Sequence, residues 1–201
     1  MYERLHLEDE DEFFRVSTGS LPDLEVVREV MTEAYARFAD ENSGKAADYI
    51  PALARVSPDL FGVSMVGVGG ADIGMGDCDH LFSIQSISKP FVFALVCQAL
   101  GAEGARAGVG VNATGLPFNS VMAVELNADR TMNPMVNAGA IATTSCVPGA
   151  NAEEKFRFIQ DGLSRFAGRR LEVDEEVYTS EAETNLRNRG IAKLLEGYDR
   201  M

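Results

Sequence analysis

Apolar positions recur at helical spacing in the first patterned stretch of this chain. Residues 23–40 place Leu24, Val27, Met31, Ala34, Tyr35 and Phe38 on one face, which predicts an amphipathic helix. Asn42-Ser43-Gly44-Lys45 supplies turn chemistry after it. Residues 46–54 are compact and apolar, broken by Pro51. The period then changes. Residues 61–68 are rich in β-branched and apolar side chains, and Gly69-Gly70-Ala71-Asp72 reads as a turn. Residues 71–76 can return as the second strand of a hairpin, although their glycines weaken the strand pattern. Residues 81–85 form a short apolar, strand-like run, and residues 90–100 read as a fully buried helix.

Residues 101–115 are Gly- and Ala-rich without a clear period. Residues 116–148 mix apolar patches with turn signals at Asn127-Ala128-Asp129 and Met132-Asn133-Pro134. Two later helices carry start signals of their own. Over residues 152–167, Asn151 can cap, Glu154 sits three residues on, and Phe156, Ile159, Leu163 and Phe166 line the inner face until Gly168 stops the helix. Ser180 and Glu183 have capping-box spacing and predict a last helix running to about Glu196. No internal repeat is visible. The inventory holds many helices and two or three strands, and a two-stranded sheet is marginal unless covered or extended. The pattern therefore predicts an incomplete sheet.

Composition narrows the function classes. With 201 residues, 46% of them hydrophobic and 24% charged, the chain has the make-up of an ordinary globular protein. Its formal net charge of -13 disfavours nucleic acid and anionic membrane surfaces as partners. Much acidity sits in one run at residues 8–12, so residues 1–20 are expected to be a flexible acidic N-terminal extension. No apolar stretch reaches the length of a membrane span, and the N-terminal residues lack the apolar region of a signal peptide, so a cytoplasmic location is expected. Cys78, Cys97 and Cys146 form neither a disulfide framework nor a zinc pattern and read as buried free thiols. His6 and His80 are too few and too isolated for a metal site or a Ser-His-Asp triad, so no metal is expected. A hydrolase built from this chain must find its base elsewhere.

Ser86-Ile87-Ser88-Lys89 is the only Ser-x-x-Lys in the sequence. Alone it is a weak signal, because chance supplies such spacings. Pro90 sharpens it: proline is tolerated in the first turn of a helix, so the helix over residues 90–100 must begin close to Ser86. Free backbone amides and the positive dipole end there favour an oxyanion, and residues three apart share a face. A partly buried Lys89 would have a lowered pKa and could accept the Ser86 proton. The plainer alternative stays open at this point: Ser86 caps a helix and Lys89 reaches solvent.

The chain carries further motifs in order: Asp48-Tyr49-Ile50-Pro51, Ser83-Ile84-Gln85-Ser86-Ile87-Ser88-Lys89, Gly115-Leu116-Pro117-Phe118-Asn119-Ser120 and Asn133-Pro134-Met135-Val136-Asn137-Ala138-Gly139-Ala140-Ile141, then Ser180-Glu181 and Asn188. Together they closely resemble the bacterial glutaminase family, which is related to the serine β-lactamases and penicillin-binding proteins in fold and in its Ser-x-x-Lys device. The resemblance runs from about Val26 to Leu195. It implies an α/β (α+β) fold with a helical cluster packed on an antiparallel sheet. It also implies hydrolysis of L-glutamine to L-glutamate and ammonia through a Ser86 acyl-enzyme, with Lys89 as proton partner and no cofactor.

By that likeness Tyr49, Asn137, Glu181 and Asn188 match the positions that hold the substrate. The residue types suit a zwitterion: Glu181 can take the ammonium, while the amides of Asn137 and Asn188 can bond the carboxylate. Each has a plain reading as well, Glu181 as first-turn dipole chemistry and Asn137 as a turn residue. His80 falls where the family has an aromatic residue and is read as packing.

Family members continue beyond the point where this sequence stops, with the remaining strands, two further site tyrosines and a Lys-Ser-Gly-type strand. Residues 21–201 are thus expected to be the N-terminal portion of a single glutaminase domain, truncated before its C-terminal strands, and the full-length form to be a homo-oligomer. Two alternatives stand beside an active glutaminase: an inactive fragment or pseudoenzyme of the family, and a β-lactam-directed serine hydrolase or binding protein.

Overall fold

A computed structural model describes residues 22–67, 69–113, 115–130 and 132–201. The acidic run at 8–12 and the expected extension over 1–20 lie outside the described residues. The chain divides into two compact units, one of Met1–Ser43 with Asp59–His80, the other of Gly44–Pro58 with Leu81–Met201.

The first unit holds α1 (Leu24–Phe38) and an antiparallel hairpin of β1 (Gly62–Val66) and β2 (Asp72–Gly76). Val27, Met31 and Tyr35 form the covered stripe of α1, with Met31 buried, whereas Leu24 and Phe38, expected on that face, are exposed. The hairpin follows the predicted alternation. Its register pairs Val63 with Met75 and Met65 with Ile73, so four apolar side chains share one face and Ile73 is buried. The glycines that weakened the strand pattern have a steric cause. Gly76 takes φ 61, and a Cβ there would strike the Phe61 carbonyl and the Tyr35 ring, which stacks on Phe61 at 5.1 Å. His80, expected to pack, is exposed.

The second unit is helical: α2 (Pro51–Ala54), α3 (Ser88–Gly108), α4 (Met122–Leu126), α5 (Asn137–Ser145), α6 (Ala152–Phe166), α7 (Glu175–Thr184) and α8 (Leu186–Gly197). Pro51 starts α2 rather than breaking a segment, since its missing amide is not needed at the first helical position. Residues 81–84 are coil and Gln85 opens a 3₁₀ turn, and Leu81 and Phe82 are exposed, so the strand-like run over 81–85 is not a strand. The helix expected to end at Leu100 bends there: Gly101 takes φ 73 and ψ 162, and a further turn runs to Gly108 with Ala105 buried.

Two apolar clusters hold this unit. Val92, Val96 and Ala105 of α3 meet Val147, with Phe158 and Ile159 of α6 against them. Ala123 and Val124 of α4, Ala138 and Ala142 of α5, and Ile191 and Leu195 of α8 form the other with Met132. Small residues let α5 pack closely. A Cβ at Gly139 would collide with the Asn133 carbonyl oxygen, and the buried Thr143 hydroxyl donates to the Gly139 carbonyl at 2.7 Å. On α6 the covered face is centred on Gly162, against which Leu95 lies, while Phe156 and Phe166 are exposed.

The α6 start is as predicted, with Asn151 Oδ1 accepting from the Glu154 amide at 3.0 Å. Gly168 at φ 64 follows its end. The last predicted helix is two helices. Asp174 caps α7, Ser180 lies inside it, and Asn185 separates it from α8. Among the described residues, no helix is long and apolar enough to cross a membrane.

Candidate active site

The 3₁₀ turn Gln85–Ile87 runs directly into α3, so Ser86 sits two residues before the first residue of the helix and Lys89 is its second residue. Pro90 follows at the third, where a helical amide has no intrahelical partner to lose. The turn is reached through an unusual backbone. Gln85 has φ 45, a left-handed conformation that costs a non-glycine residue about 1–3 kcal/mol. Two bonds hold it: the Ser88 hydroxyl donates to the Gln85 carbonyl at 2.7 Å, and Gln85 Nε2 donates to Ser83 Oγ at 3.3 Å. Ser86 is left exposed at the helix start.

A cleft of about 570 Å³ opens beside it, within the range of small-molecule sites. Tyr49, Ser86, Lys89, Asn137, Glu181 and Asn188 all line it. Each arrives on a different support. The Asn137 amide donates to the Phe118 carbonyl at 2.8 Å, which ties the start of α5 to the motif around residues 115–120. The break at Asn185 brings Glu181 of α7 and Asn188 of α8 to the same cleft. Tyr49 precedes α2, whose Ala52 amide donates to Ser180 Oγ at 3.1 Å. Ser180 therefore caps α2 across 128 residues instead of starting a helix of its own.

Lys89 is the half-buried cation of the cleft. Its Nζ donates to Asn137 Oδ1 at 2.8 Å and to the Met135 carbonyl at 3.2 Å, and it lies 5.9 Å from the Phe118 ring centroid. Burial pushes its pKa below the usual lysine value. The Asn137 Nδ2 group in turn donates to Asn188 Oδ1 at 3.0 Å. Among the described residues no hydrogen bond joins Lys89 to Ser86, so the expected pair shares a cleft without a direct bond. Tyr49 is 71% exposed and stands at the rim.

The cleft also takes in residues that sequence reasoning left unassigned. Phe118, Asn119, Asn185 and Arg187 line it, and Arg187 donates to the Asn119 carbonyl at 3.5 Å. The signal for three of them was present as adjacency, since Phe118 and Asn119 lie within a recognised motif and Arg187 precedes Asn188. Asn185 had none, because the break it makes was hidden in one continuous helical pattern. Among the described residues no group of three His, Cys, Asp or Glu side chains is placed to hold a metal ion.

The family model described as Glutaminase matches residues 44–201, a span that contains every residue of this cleft. The chain belongs to the glutaminase family. It is 57% identical over 186 residues to Glutaminase 2 of Yersinia pestis, covering 92% of this chain and 55% of that protein. It is 48% identical over 179 residues to a glutaminase of Colwellia psychrerythraea, covering 89% of this chain and 58% of that one.

Among solved structures, a probable glutaminase matches with a TM-score of 0.86 and 38% identity over 90% of this chain and 58% of that one. A probable glutaminase from Bacillus subtilis complexed with 6-diazo-5-oxo-L-norleucine matches with a TM-score of 0.71 and 30% identity, covering 96% of this chain and 56% of that one. The fold is the β-lactamase-like α/β fold of these glutaminases, as the sequence motifs implied. This glutaminase-family chain spans about half the length of the curated relatives it matches.

Proposed function

We propose that the cleft hydrolyses L-glutamine to L-glutamate and ammonia through an acyl-enzyme on Ser86. The observation that carries this reading is the meeting of Ser86 and a partly desolvated Lys89 with Tyr49, Asn137, Glu181 and Asn188 in one cleft. Family membership and the relatives' shared name support it. So does the Bacillus subtilis structure, whose ligand carries an amino-acid head.

In this reading Ser86 Oγ attacks the side-chain amide carbon of glutamine and gives its proton to the Lys89 amine. The positive end of the α3 dipole favours the negative oxygen of the tetrahedral intermediate. The C–N bond then breaks, Lys89 returns the proton to the departing nitrogen as ammonia, and a glutamyl ester remains on Ser86. Water attacks that ester, with Lys89 taking its proton and restoring the serine hydroxyl. Glu181 meets the substrate ammonium, and the amides of Asn137 and Asn188 meet its carboxylate.

The two units as the N-terminal portion of one glutaminase domain, a cytoplasmic setting and a homo-oligomeric full-length form belong to the same proposal. The test compares ammonia release from L-glutamine by this chain and by Ser86→Ala. Release by the parent that drops by at least about three orders of magnitude in the variant is expected. Absence of any serine-dependent release sinks the activity.

A further inference from the structure

We propose that Asn188 is a positioning residue for Lys89, acting through the Asn137 amide, in addition to its contact with substrate. This rests on the reading of Lys89 as the proton partner of Ser86. Three polar groups stand in series: Lys89 Nζ donates to Asn137 Oδ1 at 2.8 Å, and Asn137 Nδ2 donates to Asn188 Oδ1 at 3.0 Å. An ammonium has donors and no acceptor, so it can face only the oxygen side of the Asn137 amide. A flipped amide would set its NH₂ against the Lys89 ammonium and its oxygen against Asn188 Oδ1, losing both bonds. With its oxygen turned to Asn137, Asn188 reinforces the orientation in which Asn137 presents its own oxygen to the lysine, from a different helix and 51 residues along the chain.

The tie decides where the proton carrier waits. Asn137 Oδ1 and the Met135 carbonyl draw the Lys89 amine toward the start of α5, with no bond to Ser86 among the described residues. A hydrogen bond accepted from the charged amine favours the protonated state, while burial opposes it. The proton affinity of Lys89 is thus a balance in which the amide series holds one side. The same two amides are the donors proposed for the substrate carboxylate. The Asn137 NH₂ carries two hydrogens, so one can meet a substrate carboxylate while the other keeps the bond to Asn188. Tyr49, Glu181 and Arg187 are the other ionisable side chains lining the cleft, and their field is common to every variant below.

The experiment reads Lys89 itself, in the substrate-free chain. The sequence has four lysines, Lys45, Lys89, Lys155 and Lys193, so isotope-labelled lysine gives few side-chain signals, and Lys89→Arg identifies the one wanted. Asn188→Ala is expected to lower the Lys89 titration midpoint by on the order of one pH unit. Asn188→Asp keeps an acceptor for Asn137 and is expected not to lower it. In turnover, Asn188→Asp keeps more of kcat than Asn188→Ala while raising KM, because a substrate carboxylate then meets another carboxylate.

Asn137→Ala provides an independent route should Asn188→Ala fold poorly: it lowers the midpoint too, and adding Asn188→Ala to it changes nothing further. An unmoved Lys89 in a folded Asn188→Ala chain overturns the proposal, as does a full additive shift in the double variant. Serine-dependent ammonia release with an unmoved Lys89 leaves the glutaminase reading standing and removes this inference alone. A shifted Lys89 without such release retains the positioning geometry and removes the activity.

Discussion

The start of α6 and the start of α2 meet the same need in opposite ways. At α6 the solution is local: Asn151 accepts from the Glu154 amide at 3.0 Å, and Glu154 reaches back to accept from the Ala150 amide at 2.8 Å. At α2 no neighbouring side chain caps, and the Ala52 amide is satisfied by Ser180 of α7. The same holds at α5, where the Asn137 amide finds the Phe118 carbonyl. The start of α6, away from the cleft, is closed by its own sequence, whereas the starts of α2 and α5, which border it, take partners from other segments. A free helix end carries unsatisfied donors. Filling it from another segment both stabilises the helix and fixes where its neighbours stand.

The contrast can be broken at the long-range side with the largest effect. Gly139→Ala pushes a methyl group into the Asn133 carbonyl and should destabilise the fold by about 3 kcal/mol, read as a lower denaturant midpoint with an unchanged slope. Because α5 also carries Asn137, binding of L-glutamine should weaken with it.

Next in size is a matched pair. Ser180→Ala and Asn151→Ala each remove one cap and should each cost about 1 kcal/mol in chemical denaturation. Only Ser180→Ala should also weaken L-glutamine binding in calorimetry, since it alone loosens the segment bearing Tyr49. Equal binding losses in the two variants would erase the distinction between local and borrowed ends.

The smallest effect is expected at the exposed Glu153–Arg157 pair on α6, 2.8 Å apart. Arg157→Ala should change stability by about 0.5 kcal/mol or less, with the cleft untouched. A larger change by thermal unfolding would show that α6 depends on more than its own sequence.

The same division explains what could be read in advance. The hairpin was legible because its alternation and turn are nearest-neighbour properties, and its glycines made sense only once Tyr35 and Phe61 were seen beside Gly76. The α6 cap was legible for the same reason. Ser180 misled because its spacing to Glu183 fits a capping box while its partner lies 128 residues away. Residues 81–85 misled because an apolar run says nothing of whether a strand partner is present; they are coil leading into a 3₁₀ turn at Gln85, with Leu81 and Phe82 exposed. Phe156 and Phe166 were assigned inward by spacing, yet small Gly162 marks the close face, where Leu95 fills the room that a side chain would take.

At the cleft, the chemical types were set by sequence alone: a serine and a lysine three apart with a proline behind them, and the amides, carboxylate and tyrosine of the family motifs. Pro90 located the helix start because a missing amide is tolerated only there. What tertiary structure alone decided is who holds whom. Lys89 rests on Asn137 and Met135 rather than on Ser86, and Asn137 in turn donates to Asn188. A cap or a helical face depends on residues a few positions apart, which a linear pattern records. A hydrogen bond between side chains 48 or 51 residues apart depends on how helices pack, and that is settled only when the chain has folded.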